Sequence, residues 1–239
     1  MKTLIAIPCM DAVQMEFCQS LVNMRTVGEI QYGFTSCSLI YHARTQLCRM
    51  AMEAGADYVL WLDSDVIFKP SLMEDLMEDI QGNDIVTAIY HMRRPPFRPV
   101  IWKNIEPGLL PGLCKVEPYD DFPTDGLFEV AACGFGAVLM KTAVIRDVAE
   151  TFHETFGPIP GLGEDLSFCI RARTCGYKIL ADPKLLIGHK GSLIINEETF
   201  RTFRGRVANI NKYDPNTEKR GEDNAERVQA GAEDHDGGV

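Results

Sequence analysis

No stretch of this sequence reaches the roughly 18–20 apolar residues that a membrane-spanning helix needs. The longest apolar run, Val130–Met140, is broken by two glycines. No membrane span is therefore expected. The apolar run at the N-terminus is cut by Pro8 and Asp11, too early for the core of a secretion signal. Among the cysteines at 9, 18, 37, 48, 114, 133, 169 and 175 there is no Cys-x-x-Cys, and no Cys/His cluster has zinc-site spacing. Several sit inside apolar segments, where a thiol packs as a small hydrophobe. Reduced thiols and a cytoplasmic location are the expectation. Positive charge is also scarce. Lys and Arg number 24 against 34 Asp and Glu, for a net charge of −10. That balance argues against indiscriminate binding to nucleic acid or anionic membrane, which need a positive surface. Internal repeats are absent.

What is present suits one catalytic-sized domain. The chain has 239 residues with 46% apolar content, enough for a large single core. Apolar content collapses after Tyr213, and half of the net charge, −5, lies beyond it. A domain over 1–213 and a disordered acidic tail over 214–239 are expected. Leu4–Cys9 reads as a first buried strand. Leu39, Ala43, Leu47, Met50, Ala51 and Ala54 recur at helical spacing, with Arg44 off that stripe. Tyr58–Leu62 is apolar without alternation, the signature of a strand covered on both faces. Ser71 with Glu74 forms a capping-box pattern and predicts a helix over 71–81. Ile85–Ile89 reads as the next strand. Residues 91–126 are rich in proline and arginine and predict a long irregular excursion with one short hairpin. Helices are expected over 141–156 and 164–175, and short strands over 177–181 and 185–188. Alternating strands and helices predict an α/β fold with a mostly parallel sheet flanked by helices.

In such sheets ligands bind beyond the carboxyl ends of the strands. That rule puts Asp63-Ser64-Asp65 at a site. Side chains two apart on an extended strand leave on the same side, so the two carboxylates face each other's charge. A divalent cation relieves that repulsion, and Mg²⁺ or Mn²⁺ commonly bridges one or two carboxylates to substrate phosphates. The competing reading is a turn capped by Asp. Glu164-Asp165 opens a helix after Gly161-Leu-Gly163, where an acid also serves the helix dipole and an ionised Asp can act as a general base. His189 ends an apolar run and can supply a third metal ligand. Lys190 and Ser192 beside it suit phosphate oxygens. Arg44 taken alone reads as a solvated arginine.

In this order these features resemble a glycosyltransferase of the GT-A fold, closest to the family-2 type: a strand, His42-Ala-Arg44 on a helix, Asp63-Ser-Asp65, Gly134-Phe-Gly136, Gly163-Glu-Asp165, then His189. The resemblance spans roughly residues 2–200. It implies a GT-A, Rossmann-like domain. It implies that Asp63 and Asp65 hold Mn²⁺ or Mg²⁺ on the diphosphate of a nucleotide-sugar donor, UDP-linked, with His189 as a further ligand. Arg44, Ser64 and Gly134 would contact the donor, and Pro8 and Asp11 would edge the nucleotide pocket. Asp165 would be the base of an inverting transfer, next to Glu164. Thr45 stands where the family has Asn, and the Gln-x-x-Arg-Trp motif of processive members is missing, so the resemblance implies transfer of one sugar.

Two other readings compete. A haloacid-dehalogenase-type phosphatase also ends a strand in Asp-x-Asp, but nearer the N-terminus and with Thr or Val where Ile67 stands. A non-catalytic nucleotide-sugar or glycan-binding module would keep the fold without turnover. The acceptor is unknown: a glycan hydroxyl is the leading expectation, and a hydroxyl on a modified nucleic-acid base stays open. Arg93, Arg94, Phe97, Arg98 and Trp102 in the excursion, and Arg201, Arg204 and Arg206, are basic clusters that could face it.

Overall fold

The structure, a computed structural model, describes residues 1–107 and 114–192. Residues 1–191 form one compact unit, and of the second unit, 192–239, only Ser192 is described. The expected domain boundary near 213, the acidic tail and Arg201, Arg204 and Arg206 lie outside the described residues.

A seven-stranded sheet organises the compact unit. Its strands are β1 (Lys2–Cys9), β2 (Glu29–Ser36), β3 (Tyr58–Leu62), β5 (Ile85–Ile89), β8 (Phe128–Val130), β10 (Ala137–Lys141) and β11 (Ile179–Leu186). Their spatial order is β2-β1-β3-β10-β5-β11-β8. β1 pairs parallel with β2 and β3, β10 is antiparallel to both β3 and β5, and β11 is parallel to β5. Five strands therefore run one way and β10 and β8 the other. The fold is α/β with a mixed, mostly parallel sheet.

The non-alternating strands are covered on both faces. Leu4, Ala6, Val59, Trp61, Val138 and Met140 belong to one core cluster. Their immediate neighbours Ile5, Ile7, Leu60, Leu62, Ala137 and Leu139 belong to another. Side chains on a strand alternate between faces, so the two clusters are the two sides of the sheet. Helices α2 (Ile40–Glu53), α4 (Thr142–Phe152) and α5 (Glu164–Thr174) supply the first cluster, while α1 (Met15–Asn23) and α3 (Leu72–Asp79) supply the second. Each large side chain so buried contributes about 1.5–3 kcal/mol.

Local chemistry departs from expectation in three places. Ser71 makes no cap bond, because its Oγ donates instead to Asp75 Oδ2 at 2.9 Å. The strands expected over 177–181 and 185–188 are the single strand β11, with a register break between Asp182 and Leu186. Pro183 falls in that break, where no ladder donor is needed. The helix from 141 stops at Phe152, where His153 turns left-handed at φ 54°. The excursion does contain a hairpin, β6 (Ile101–Pro107) with β7 (Cys114–Pro118), and β6 also pairs with β9 (Ala132–Cys133). Residues 108–113 lie outside the described residues. A two-stranded ribbon of β4 (Val66–Ile67) and β12 (Gly188–His189) brings His189 next to the strand-end acids.

Candidate active site

β1, β3, β5 and β11 all end on one side of the sheet. Pro8 and Cys9 close β1, Asp63-Ser-Asp65 follows β3, and Tyr90 and Arg93 stand after β5. The start of α5 delivers Glu164 and Asp165 to the same side. These residues line a cleft of about 420 Å³, together with Met10, Cys37, Ser38, Ile40, Arg44, Phe135 and His189. The backbone around the acids is fixed. Asp63 N–H donates to Gly136 O at 3.2 Å, and Val66 N–H donates to Asp63 O at 3.3 Å.

Arg44 is the centre of the deep end. It lies on the buried face of α2 between Ala43 and Leu47, with its side chain 3% exposed. Its Nη2 donates to Asp63 Oδ1 at 2.8 Å and its Nε to Glu164 Oε1 at 3.3 Å. The guanidinium carbon sits 5.1 Å from the Phe135 ring centre, 5.7 Å from Trp61 and 5.8 Å from Phe156, within cation–π range. Sequence alone reads Arg44 as solvated. The structure buries it against two carboxylates and three rings, which replace part of what water would supply; Nη1 is buried without a hydrogen-bond partner. Burial opposes the charge, but Asp63, Glu164 and Asp165 more than offset it, and the guanidinium is held more firmly charged than usual.

Burial pushes the Asp63 carboxyl up, against the pull of Arg44. Asp165 is raised to about 6, first by burial and then by the charge of Glu164. One of its oxygens accepts the Leu166 N–H at 2.7 Å. A carboxylate at that value is a stronger base than an ordinary Asp and is still ionised at neutral pH.

The shallow end is built around Asp65. Arg93 Nη1 donates to Asp65 Oδ2 at 2.7 Å, and His189 Nε2 stands 3.5 Å from Asp65 Oδ1. Burial alone would raise the Asp65 carboxyl, but the bond to His189 and the charges of His189 and Arg93 bring it below the usual range. His189 Nδ1 lies 2.8 Å from the His91 carbonyl, which can only accept, so Nδ1 carries the proton. That bond and the Tyr90 ring, edge-on at 5.0 Å, aim Nε2 toward Asp65.

Among the described residues no group of three or more His, Cys, Asp or Glu converges as a ready-made metal cage. Asp65 Oδ1 with His189 Nε2 is a two-member set of the kind that leaves further positions to water and substrate. Adjacent ligands on an octahedral Mg²⁺ or Mn²⁺ are roughly 3.0 Å apart, and the 3.5 Å between these two atoms is close to that edge. A His with its second nitrogen tied to a carbonyl is the usual form of a metal-ligating imidazole. Asp63 keeps one oxygen free of Arg44. The residues present fit such a cation.

Other expected site residues fall elsewhere. Asp11 is exposed and does not line the cleft. Gly134 is buried behind it: a Cβ there would stand 2.0 Å from Tyr90 Oη and 2.7 Å from Val100, so the glycine admits the tyrosine. Lys190 anchors the loop through its N–H to Asp65 O at 2.8 Å, and its ammonium pairs with Glu16. Ser192 is exposed. Trp102, expected in an acceptor-facing cluster, is buried to 8% exposure against the β6 side of the core, while Phe97 is exposed and Arg98 pairs with Asp120. Tyr90, Cys9 and Cys37 had no local signal in the sequence. The topology places them, since each stands at or just past the end of a parallel strand.

Comparison with solved structures identifies the fold. The crystal structure of GalNAc-T7 with UDP, GalNAc and Mn²⁺ covers 80% of this chain and 43% of its own, at TM-score 0.54 and 12% identity. The fold is GT-A-like. The crystal structure of A197 from STIV covers 82% of this GT-A-like chain and 97% of its own, at TM-score 0.54 and 19% identity. Among curated proteins, the mannan polymerase complex subunit MNN9 of Candida albicans is 27% identical over 187 residues, covering 64% of this chain and 49% of that protein. The chain thus spans about half the length of that relative. No protein-family model matches the chain. Among the described residues, no helix is long and apolar enough to cross a membrane.

Proposed function

We propose that this GT-A-like chain is a metal-dependent glycosyltransferase that moves one sugar from a UDP-linked donor to a hydroxyl acceptor with inversion. The observation that supports this most is the convergence on one cleft of Asp63, Asp65 and His189 from the strand ends and Asp165 from a helix start. The GT-A-like fold, the likeness to a structure containing UDP, GalNAc and Mn²⁺, and the likeness to a mannan polymerase subunit point the same way.

In this reading Asp65 and His189, with the free oxygen of Asp63, hold the cation. Bound there, Mn²⁺ or Mg²⁺ would supply Lewis-acid neutralisation of the charge developing on the leaving diphosphate. Pro8, Cys9, Cys37 and Ser38 form the wall nearest the end of β1 and receive the nucleoside. Asp165 takes the proton of the acceptor hydroxyl as that oxygen attacks the anomeric carbon. Arg44 keeps Asp63 and Glu164 in place from beneath. The acceptor is a hydroxyl of a glycan, and the location is cytoplasmic.

A panel of UDP-, GDP- and CMP-sugars with Mn²⁺, read by thermal shift and by slow donor hydrolysis, tests the proposal. Stabilisation and hydrolysis confined to one nucleotide class are expected. No response to any donor would refute it.

A further inference from the structure

Asp65 already has a cationic partner. Arg93 reaches it from the loop after β5, with Nη1 2.7 Å from Asp65 Oδ2 and a side chain that remains 53% exposed. The loop beneath is pinned. Val100 N–H donates to Tyr90 O at 2.8 Å, Met92 N–H donates to Arg98 O at 2.8 Å, and the His91 carbonyl accepts from His189. The backbone of Arg93 is therefore fixed while its guanidinium faces the cleft mouth and solvent.

A guanidinium and a divalent cation on one carboxylate repel each other, and the repulsion is largest where water is partly excluded. The donor changes that balance. Its diphosphate brings two negative charges to the same spot, and a planar guanidinium binds phosphate oxygens through paired N–H groups. We propose that Arg93 is an exchangeable counter-ion: it neutralises Asp65 before donor and metal arrive, then turns to the donor's phosphate oxygens when the metal takes Asp65. This rests on the glycosyltransferase reading and adds a donor-binding residue to it. It also makes binding ordered: metal alone competes with Arg93, whereas metal with nucleotide recruits it.

The two roles have opposite signs, which a merely structural role lacks. In Arg93→Ala, Mn²⁺ alone should bind about three- to fivefold more tightly, the size of a partly exposed ion pair removed. Free Mn²⁺ followed by electron paramagnetic resonance reads this. UDP at saturating Mn²⁺ should bind about tenfold or more weakly, the size of a lost charge-assisted bond, read by calorimetry. Arg93→Lys should fall between. Arg98→Ala, in the same loop but paired with Asp120 at 3.3 Å, should move neither value. Weakening of both ligands by Arg93→Ala, or no change in either, overturns the proposal and leaves the glycosyltransferase reading intact. Failure of the unaltered protein to bind UDP with Mn²⁺ overturns both.

Discussion

Replacing Arg44 by methionine keeps much of the side-chain volume and removes the charge that holds the deep end of the cleft together. Two carboxylates lose their partner at once, Asp63 and Glu164. Breaking a buried pair by removing one member costs about 3–5 kcal/mol, because the remaining charge is stranded. The Asp63 and Glu164 side chains keep 25% and 16% exposure, so water relieves some of this and the lower end, about 3 kcal/mol, is expected. At roughly 2–4 °C per kcal/mol for a domain of this size, Tm falls by about 6–12 °C. The pH dependence has a definite sign. Without Arg44, burial and the charges of Asp65 and Glu164 act unopposed by it on Asp63 and lift its folded carboxyl further above its unfolded value. A group raised in the folded state binds protons more readily there, so the folded form regains stability as pH falls. Urea and thermal unfolding at pH 7.5 and pH 5 should show the deficit of Arg44→Met shrinking at the lower pH. Adding Asp63→Asn and Glu164→Gln should recover most of the loss at pH 7.5. A deficit below about 1 kcal/mol at pH 7.5, or one that grows on acidification, would refute the assignment of Arg44 as the buried tie between β3 and α5.

Asp165→Asn should leave donor binding near its original strength and lower transfer by about a hundredfold or more. With Asp165 raised to about 6 by burial, it is protonated below that value, so transfer should climb with pH through about 6 and level off above it. A flat profile from pH 5 to 8 would count against it as the base. The thiols should divide by position. Burial pushes Cys48 up to about 12 and Cys169 well above its ordinary value, and both should resist maleimide in the folded protein. Cys9 and Cys37 line the cleft and should label faster, with UDP and Mn²⁺ slowing them. Labelling of Cys48 at the rate of Cys9, or no protection by ligand, would contradict the cleft assignment.

The interior strands were readable because burial on both faces leaves a mark in the chain itself. Tyr58–Leu62 is apolar throughout, and the acids that follow it needed only the rule that parallel strands end at a site. β2 carries a different mark. It is an edge strand whose residues are mostly half-buried or exposed, and its alternating Tyr32 and Phe34 face outward while the small Gly33 and Thr35 are buried, so no continuous apolar run announces it. The sequence divides β11 in two because Asp182-Pro183 looks like a stop, whereas a register break absorbs the proline. The environment of Arg44 could not be read locally at all. Its partners are 19 and 120 residues away, and only the folded sheet brings them to one guanidinium. The same holds for Arg93. Its position in a basic loop suggested an acceptor surface, while its contact with Asp65 depends on where β5 ends relative to β3.

Calorimetric titration of UDP with and without Mn²⁺, on the unaltered protein and on Asp65→Ala, measures whether this cleft is a metal-dependent nucleotide site. Binding should be at least tenfold tighter with Mn²⁺, and Asp65→Ala should erase the difference. Equal UDP affinity with and without the metal, or a metal effect that survives Asp65→Ala, would contradict it.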